Sequence, residues 1–179
     1  IRLHPNHFKN VPRYRREAEA IYDLQKSLPH IHIVEPREMP GDLERYAGED
    51  YPEKASMMAH CDVLVTLYST MVVEVAIHDK PIINACLPTQ EGYGQDFWVP
   101  IHEVPTFPTS TRVNATGAGR LVTSALELQE ALSAYLADPS LDSKHRRQFL
   151  QQELTFLAGE GTRQTANFLL GLVDQPKLI

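Results

Sequence analysis

The sequence is poor in the residues and runs that announce most chemistries. Its 179 residues hold only two cysteines, Cys61 and Cys86, with no CxxC pair, so thiol redox chemistry loses support. Each lies in an apolar run and reads as a small core hydrophobe of a protein in a reducing cytoplasm. There is no Walker A sequence and no GxGxxG after a strand, which argues against P-loop ATP hydrolysis and against a dinucleotide dehydrogenase. Without a GxSxG elbow, esterase chemistry also loses ground. Basic residues are outnumbered, 17 Lys and Arg against 23 Asp and Glu for a formal charge of −6. The densest basic cluster, Arg13 to Arg16, is interrupted by Tyr14. A nucleic-acid partner is therefore not expected, although a local cationic pocket is still allowed. No apolar run approaches membrane-spanning length, so no transmembrane segment is expected.

What is present is an ordinary globular composition. With 42% apolar and 22% charged residues, disorder is excluded and one sizeable domain with its own core is allowed. The chain opens on Ile1-Arg2-Leu3-His4-Pro5 with no initiator Met, inside what reads as a strand, which predicts a piece of a longer protein.

Strand-like and helix-like segments alternate. Residues 1–4, 31–34, 62–67, 81–86 and 119–123 read as strands, the third and fourth so apolar that they belong at the centre of a sheet. Helices are predicted over 14–28, with Tyr14, Ala18, Ile21, Leu24 and Leu28 on one face, over 50–60 from a capping-box-like Asp50 and Glu53, and over 69–79 with Val72, Val73, Ala76 and Ile77 inward. Residues 35–50, with the turn signal Met39-Pro40-Gly41-Asp42, read as irregular. The stretch 87–118, rich in Pro, Gly and aromatics, reads as a long functional loop. Ser124, paired with Glu127 in a capping box, opens a helix to Ala137 whose core face is Leu128, Leu132, Tyr135 and Leu136. Two more helices follow over 142–157 and 162–173, with Phe149, Leu154, Leu157, Phe168 and Leu172 as core contacts. This order predicts an α/β fold, a Rossmann-like doubly wound parallel sheet of about five strands over residues 1–137, with a helical tail, 138–179, packed on the same domain.

In such sheets ligands sit at the carboxyl ends of the strands, and His4, Ser69, Thr70 and the stretch after Cys86 fall there. Tyr68-Ser69-Thr70 is the sharpest feature. A buried strand that opens through Ser-Thr into a helix places two hydroxyls and unpaired amides at a positive helix end, which suits phosphate. The plain alternative is a helix N-cap, the commonest use of Ser and Thr at that place. His4-x2-His7 and His30-x-His32 carry no Cys or carboxylate at ligand spacing, so no metal site is assigned. Asp96, Trp98 and His102 could touch a base or an acceptor, yet Phe97-Trp98-Val99 reads rather as tucking the loop onto the domain. Arg112, Asn114 and Thr116 are weaker candidates for a cleft lining.

Two motifs together carry a resemblance. Arg2-Leu3-His4-Pro5, and Asp62 to Thr70 followed by Glu74, Ala76 and Lys80-Pro81-Ile82-Ile83, resemble the C-terminal, donor-nucleotide-binding domain of GT-B glycosyltransferases. The branch is that of bacterial sialyltransferases, capsule-polysaccharide transferases and CDP-glycerol glycerophosphotransferases, and the likeness covers roughly residues 1–137. It implies that His4 contacts a donor phosphate, that Ser69 and Thr70 bind phosphate, and that Glu74 reaches ribose hydroxyls. It implies a nucleotide-sugar or CDP-polyol donor, no bound cofactor (magnesium stays open), and cell-surface polysaccharide or glycan synthesis. It also implies an N-terminal acceptor domain, absent from these residues, as partner, and leaves room for peripheral membrane association of a full-length protein. Tyr68-Ser69-Thr70 departs from the commoner Ser-Ser or Gly-Gly pair, which leaves the donor nucleotide undecided, and no catalytic residue is assigned. A UDP-N-acetylglucosamine 2-epimerase-like enzyme and a non-catalytic flavodoxin-like module are the alternatives. The second is disfavoured as a receiver, because residues 1–5 supply no acidic cluster.

Overall fold

The computed structural model describes residues 1–4, 7, 12–36, 50–88, 101–154 and 159–173. The turn at 39–42, Asp96, Trp98 and Leu157 lie outside the described residues. The chain divides into two compact units, one of Ile1–His60 with Thr89–Trp98, the other of Cys61–Pro88 with Val99–Ile179.

In the first unit, α1 (Pro12–Ser27) and α2 (Asp50–His60) lie where their patterns place them. Ala18 of α1 is buried, but Leu24 and Leu28 are exposed. The two strands expected over 1–4 and 31–34 reduce to one parallel bridge, Arg2 to Val34. The Leu3 amide donates to the Val34 carbonyl at 2.9 Å and the Val34 amide to the Ile1 carbonyl at 2.8 Å. Pro5 and Pro36 follow these segments closely and have no N–H with which to extend the ladder. Arg2 is drawn inward by the start of α2, its Nη2 donating to Asp50 Oδ1 at 2.6 Å with both side chains nearly buried. Glu53 stands 3.9 Å from the same guanidinium. The two acids expected to form a capping box thus receive a cation.

The second unit is built on a three-stranded parallel sheet in the order β1 (Leu64–Thr66), β2 (Ile82–Ala85), β3 (Arg120–Val122). This is α/β with a parallel sheet, of three strands where five were expected. Register pairs Val65 with Ile83 and Ile83 with Arg120, so alternate residues share a face. One face holds Ile83, Ala85 and Val122 against Ala131 and Tyr135 of α5 (Ala125–Ala137). The α5 N-terminus forms as its sequence dictates: Ser124 Oγ accepts from the Glu127 amide at 3.2 Å, and Glu127 returns to the Thr123 amide at 2.6 Å. Leu136 is exposed, and Ala131 takes the inward place given to it.

Ile82 and Asn84, both fully buried, point to the other face, where α3 (Met71–Ile77) contacts β2 and α6 (Ser143–Glu153) packs on α3. The inward residues of α3 are Val72, Val75 and Ala76, while Ile77 is exposed. Residues 101–116 correct the expected loop: they form a 3₁₀ turn (Ile101–Thr106) and then α4 (Pro108–Thr116), which packs on α6. Pro108 stands at the first turn of α4 and Gly117, at φ +71°, closes it. Here Pro and Gly punctuate a helix rather than a loop. The last helix, α7 (Gly161–Val173), is also corrected: Phe168 is 67% exposed, and Leu169, Leu170 and Leu172 are exposed as well. Ala166, Leu169, Leu170 and Val173 keep the three-four spacing of an amphipathic helix, so the pattern marks the helix correctly without fixing what covers its apolar side.

Arg146 ties α6 to the loop beyond α3. Its side chain is 0% exposed, and Nε donates to Asp79 Oδ1 at 2.8 Å. Nη1 and Nη2 donate to the carbonyls of Leu141 (2.7 Å) and Pro139 (3.0 Å). Burial alone would raise the Asp79 carboxyl, but the bonds from Ser143 and Arg146 outweigh it and hold it below the usual carboxylate range. Beside it, Asp142 accepts from Tyr135 at 2.8 Å and Arg120 at 3.0 Å, and the Arg120 guanidinium lies 4.4 Å from the Tyr135 ring centroid.

Candidate functional site

β1 ends at Thr66, and the chain turns at once through Leu67-Tyr68-Ser69-Thr70 into α3. Tyr68 has φ +42°, a left-handed conformation that costs a residue with Cβ about 1–2 kcal/mol. What holds it there is a hydrogen bond from its hydroxyl to Asn114 Oδ1 of α4 at 2.5 Å. Asn114 is itself anchored, donating from Nδ2 to the Pro105 carbonyl at 3.3 Å. Burial pushes the Tyr68 phenol above its ordinary value, against a smaller opposing effect of that bond, so the phenol stays neutral and can donate.

The turn opens onto a cavity of about 300 Å³. Val72, Val113 and Phe149, all buried, supply apolar lining. The polar lining comes from Ser69, Thr70, Thr109, Arg112 and Glu153, with the Tyr68 ring beside them. Arg112 Nε is 3.1 Å from Glu153 Oε1, with side chains 56% and 17% exposed. The cavity thus gathers a guanidinium, a carboxylate and the hydroxyls of Ser69, Thr70 and Thr109 around an apolar floor.

Ser69 and Thr70 both line the cavity, but the helix behind them differs from the expected one. α3 spans seven residues, and the amides of its first turn are engaged. Met71 donates to Ser69 Oγ at 3.2 Å, Val72 to the Ser69 carbonyl at 3.0 Å, and Val73 to the Thr70 carbonyl at 3.1 Å. The expected cluster of unpaired amides at a positive helix end is therefore not formed by these three groups. A hydroxyl that accepts one bond keeps its proton to donate, so Ser69 can cap and still serve an anion. Thr70 makes no side-chain capping bond. Glu74 is half-buried and is not among the residues lining the cavity.

His4 belongs to the first unit. It is exposed, its amide donates to His7 Nδ1 at 3.1 Å, and its carbonyl accepts from the His7 amide at 2.9 Å. His7 Nε2 lies 3.5 Å from the Glu17 carboxylate. Among the described residues no group of three His, Cys, Asp or Glu is placed to hold a metal ion. Neither Cys61 nor Cys86 is in a disulfide, and burial pushes both thiols up. No helix among the described residues is long and apolar enough to cross a membrane.

Of the weaker candidates, Arg112 lines the cavity, Asn114 positions Tyr68, and Thr116 is spent on its own helix end, bonding the Val113 carbonyl and the Ala118 amide. Two features escape sequence reading. Glu153 reaches the cavity from α6, far from Ser69 in the chain. Asn84 is fully buried in β2, and neither its Oδ1 nor its Nδ2 has a partner. The one signal for it is a polar residue inside Ile82-Ile83-Asn84-Ala85. No family model matches the chain, and comparison with curated proteins and with solved structures found no match.

Proposed function

We propose that the second unit binds the phosphates of a nucleotide-activated donor, as the donor-binding part of a GT-B-type glycosyltransferase or polyol-phosphate transferase. The observation that carries this reading is the cavity at the carboxyl end of β1, where Ser69 and Thr70 stand with Arg112. A guanidinium presents planar paired donors that fit phosphate oxygens, and the two hydroxyls add neutral donors beside it. The apolar floor suits the flat or aliphatic part of such a donor. In the transfer, the nucleoside phosphate leaves from the activated carbon, or from phosphorus in a polyol-phosphate transfer. The contribution of these side chains is to stabilise the charge that grows on the leaving oxygens. His4 is carried into this reading by the resemblance of Arg2-Leu3-His4-Pro5 alone.

The test is a thermal-shift panel on the 179-residue chain with CMP, CDP, UDP, GDP and ADP, each with and without magnesium. A ligand that binds only the folded state raises the melting temperature. Selective stabilisation by one pyrimidine nucleotide, lost in Ser69→Ala and reduced in His4→Ala, is the expected result. No shift with any nucleotide would count against the reading.

A further inference from the structure

Glu153 is a carboxylate in an unfavourable place for stability. It is the last residue of α6, and no basic residue lies in the last turn of that helix. The carbonyl end of a helix carries partial negative charge, and an acid there loses about 0.3–1 kcal/mol relative to a cation. Its partner Arg112 is more than half exposed, and such a pair typically returns no more than about 1 kcal/mol. The two helices need no such tie, since Val113 of α4 and Phe149 of α6 are buried where α4 and α6 pack. The pair therefore adds little to the fold, yet both members line the cavity beside Ser69 and Thr70.

We infer that Arg112 is a phosphate-binding residue and that Glu153 is its displaceable internal counter-ion, holding the guanidinium until a ligand phosphate takes its place. The inference rests on the phosphate-binding reading above and deepens it. Arg112 has the exposure to turn between partners, while Glu153, 17% exposed on the end of a packed helix, stays behind. An incoming phosphate gains the guanidinium and the donors of Ser69 and Thr70, and it is opposed by the Glu153 charge. Glu153 thus weakens binding of lone anions while keeping Arg112 aligned with the cavity in their absence.

Calorimetric titration of inorganic pyrophosphate into the wild-type chain, Glu153→Gln and Arg112→Gln tests this. Gln matches Glu in size, and Arg112 is more than half exposed, so both variants keep the packing of α4 on α6, and Gln at the end of α6 removes an unfavourable charge. Removing one negative charge next to the bound anion should tighten pyrophosphate about fivefold in Glu153→Gln. Loss of the guanidinium should weaken it at least about tenfold in Arg112→Gln. Nucleotide binding by the wild type, with the same pyrophosphate affinity in all three proteins, would overturn the exchange and leave the nucleotide reading standing. Absence of both pyrophosphate and nucleotide binding would overturn both.

Discussion

Replacing Arg146 by Met keeps most of the volume of the side chain and removes its charge and its donors. The guanidinium is 0% exposed and spends Nε, Nη1 and Nη2 on Asp79 and on the carbonyls of Leu141 and Pro139. Breaking a buried ion pair by removing one partner costs about 3–5 kcal/mol. The lower end applies here, because the Asp79 side chain is 47% exposed and Pro139 is exposed, so both regain water. The half-buried Leu141 carbonyl is left to bear about 1–3 kcal/mol of lost hydrogen bonding. Arg146→Met should therefore lose about 3 kcal/mol of stability, a fall of about 6–12 °C in melting temperature for a chain of this size. Urea unfolding followed by far-ultraviolet circular dichroism measures it. Arg146→Lys sharpens the test: an ammonium keeps the charge but cannot hold three acceptors in one plane, so it should cost nearly as much as Met. A Lys variant as stable as the wild type, or a Met variant within about 0.5 kcal/mol of it, would refute the account of the clamp.

Three further outcomes follow from the same packing. Asp79 and Asp142 are both held below the usual carboxylate range, burial being outweighed at Asp79 by Ser143 and Arg146 and at Asp142 by Tyr135 and Arg120. A carboxyl depressed in the folded state contributes stability above its unfolded value near 4 and loses it as pH falls through and below that value. Urea midpoints should therefore drop below about pH 5, and less steeply in Asp142→Asn than in the wild type. Asn84→Val removes a buried amide without partners with a shorter side chain that suits a strand and should raise stability by about 1 kcal/mol, read as a higher urea midpoint; a loss would mean that the amide is satisfied in solution. Gly119→Ala should cost about 1–3 kcal/mol in the same assay, because its Cβ would stand 2.7 Å from Asn84 Nδ2 and 2.9 Å from Ile82 Cγ2.

Local chemistry made much of this architecture legible. Periodicity and caps placed α1, α2 and α5, and the apolar runs placed β1, β2 and β3, because each of these signals is read within a dozen residues. The misses have physical causes. Pro108 and Gly117 bound α4, but the same residues mark loops elsewhere, so the helix between them read as irregular. Phe168 and Leu172 are apolar, and apolarity does not say what covers a residue. Arg146 is charged and fully buried, which becomes readable only once Asp79 and two carbonyls are brought around it. At the candidate site, Ser69 and Thr70 were legible from the strand-to-helix junction. Glu153 was not, because its place beside Arg112 is made by the packing of α4 on α6, and no sequence spacing encodes that.

The most direct measurement is a calorimetric titration of the wild-type chain, Ser69→Gly and Arg112→Gln with the nucleotide that stabilises the wild type most. Gly at a helix start costs only a few tenths of a kcal/mol, so Ser69→Gly separates ligand binding from capping. The account predicts an affinity at least about tenfold weaker in both variants, with melting temperatures close to that of the wild type. Equal affinity in all three proteins would contradict it and leave Ser69 as a helix cap and Arg112 as a surface cation.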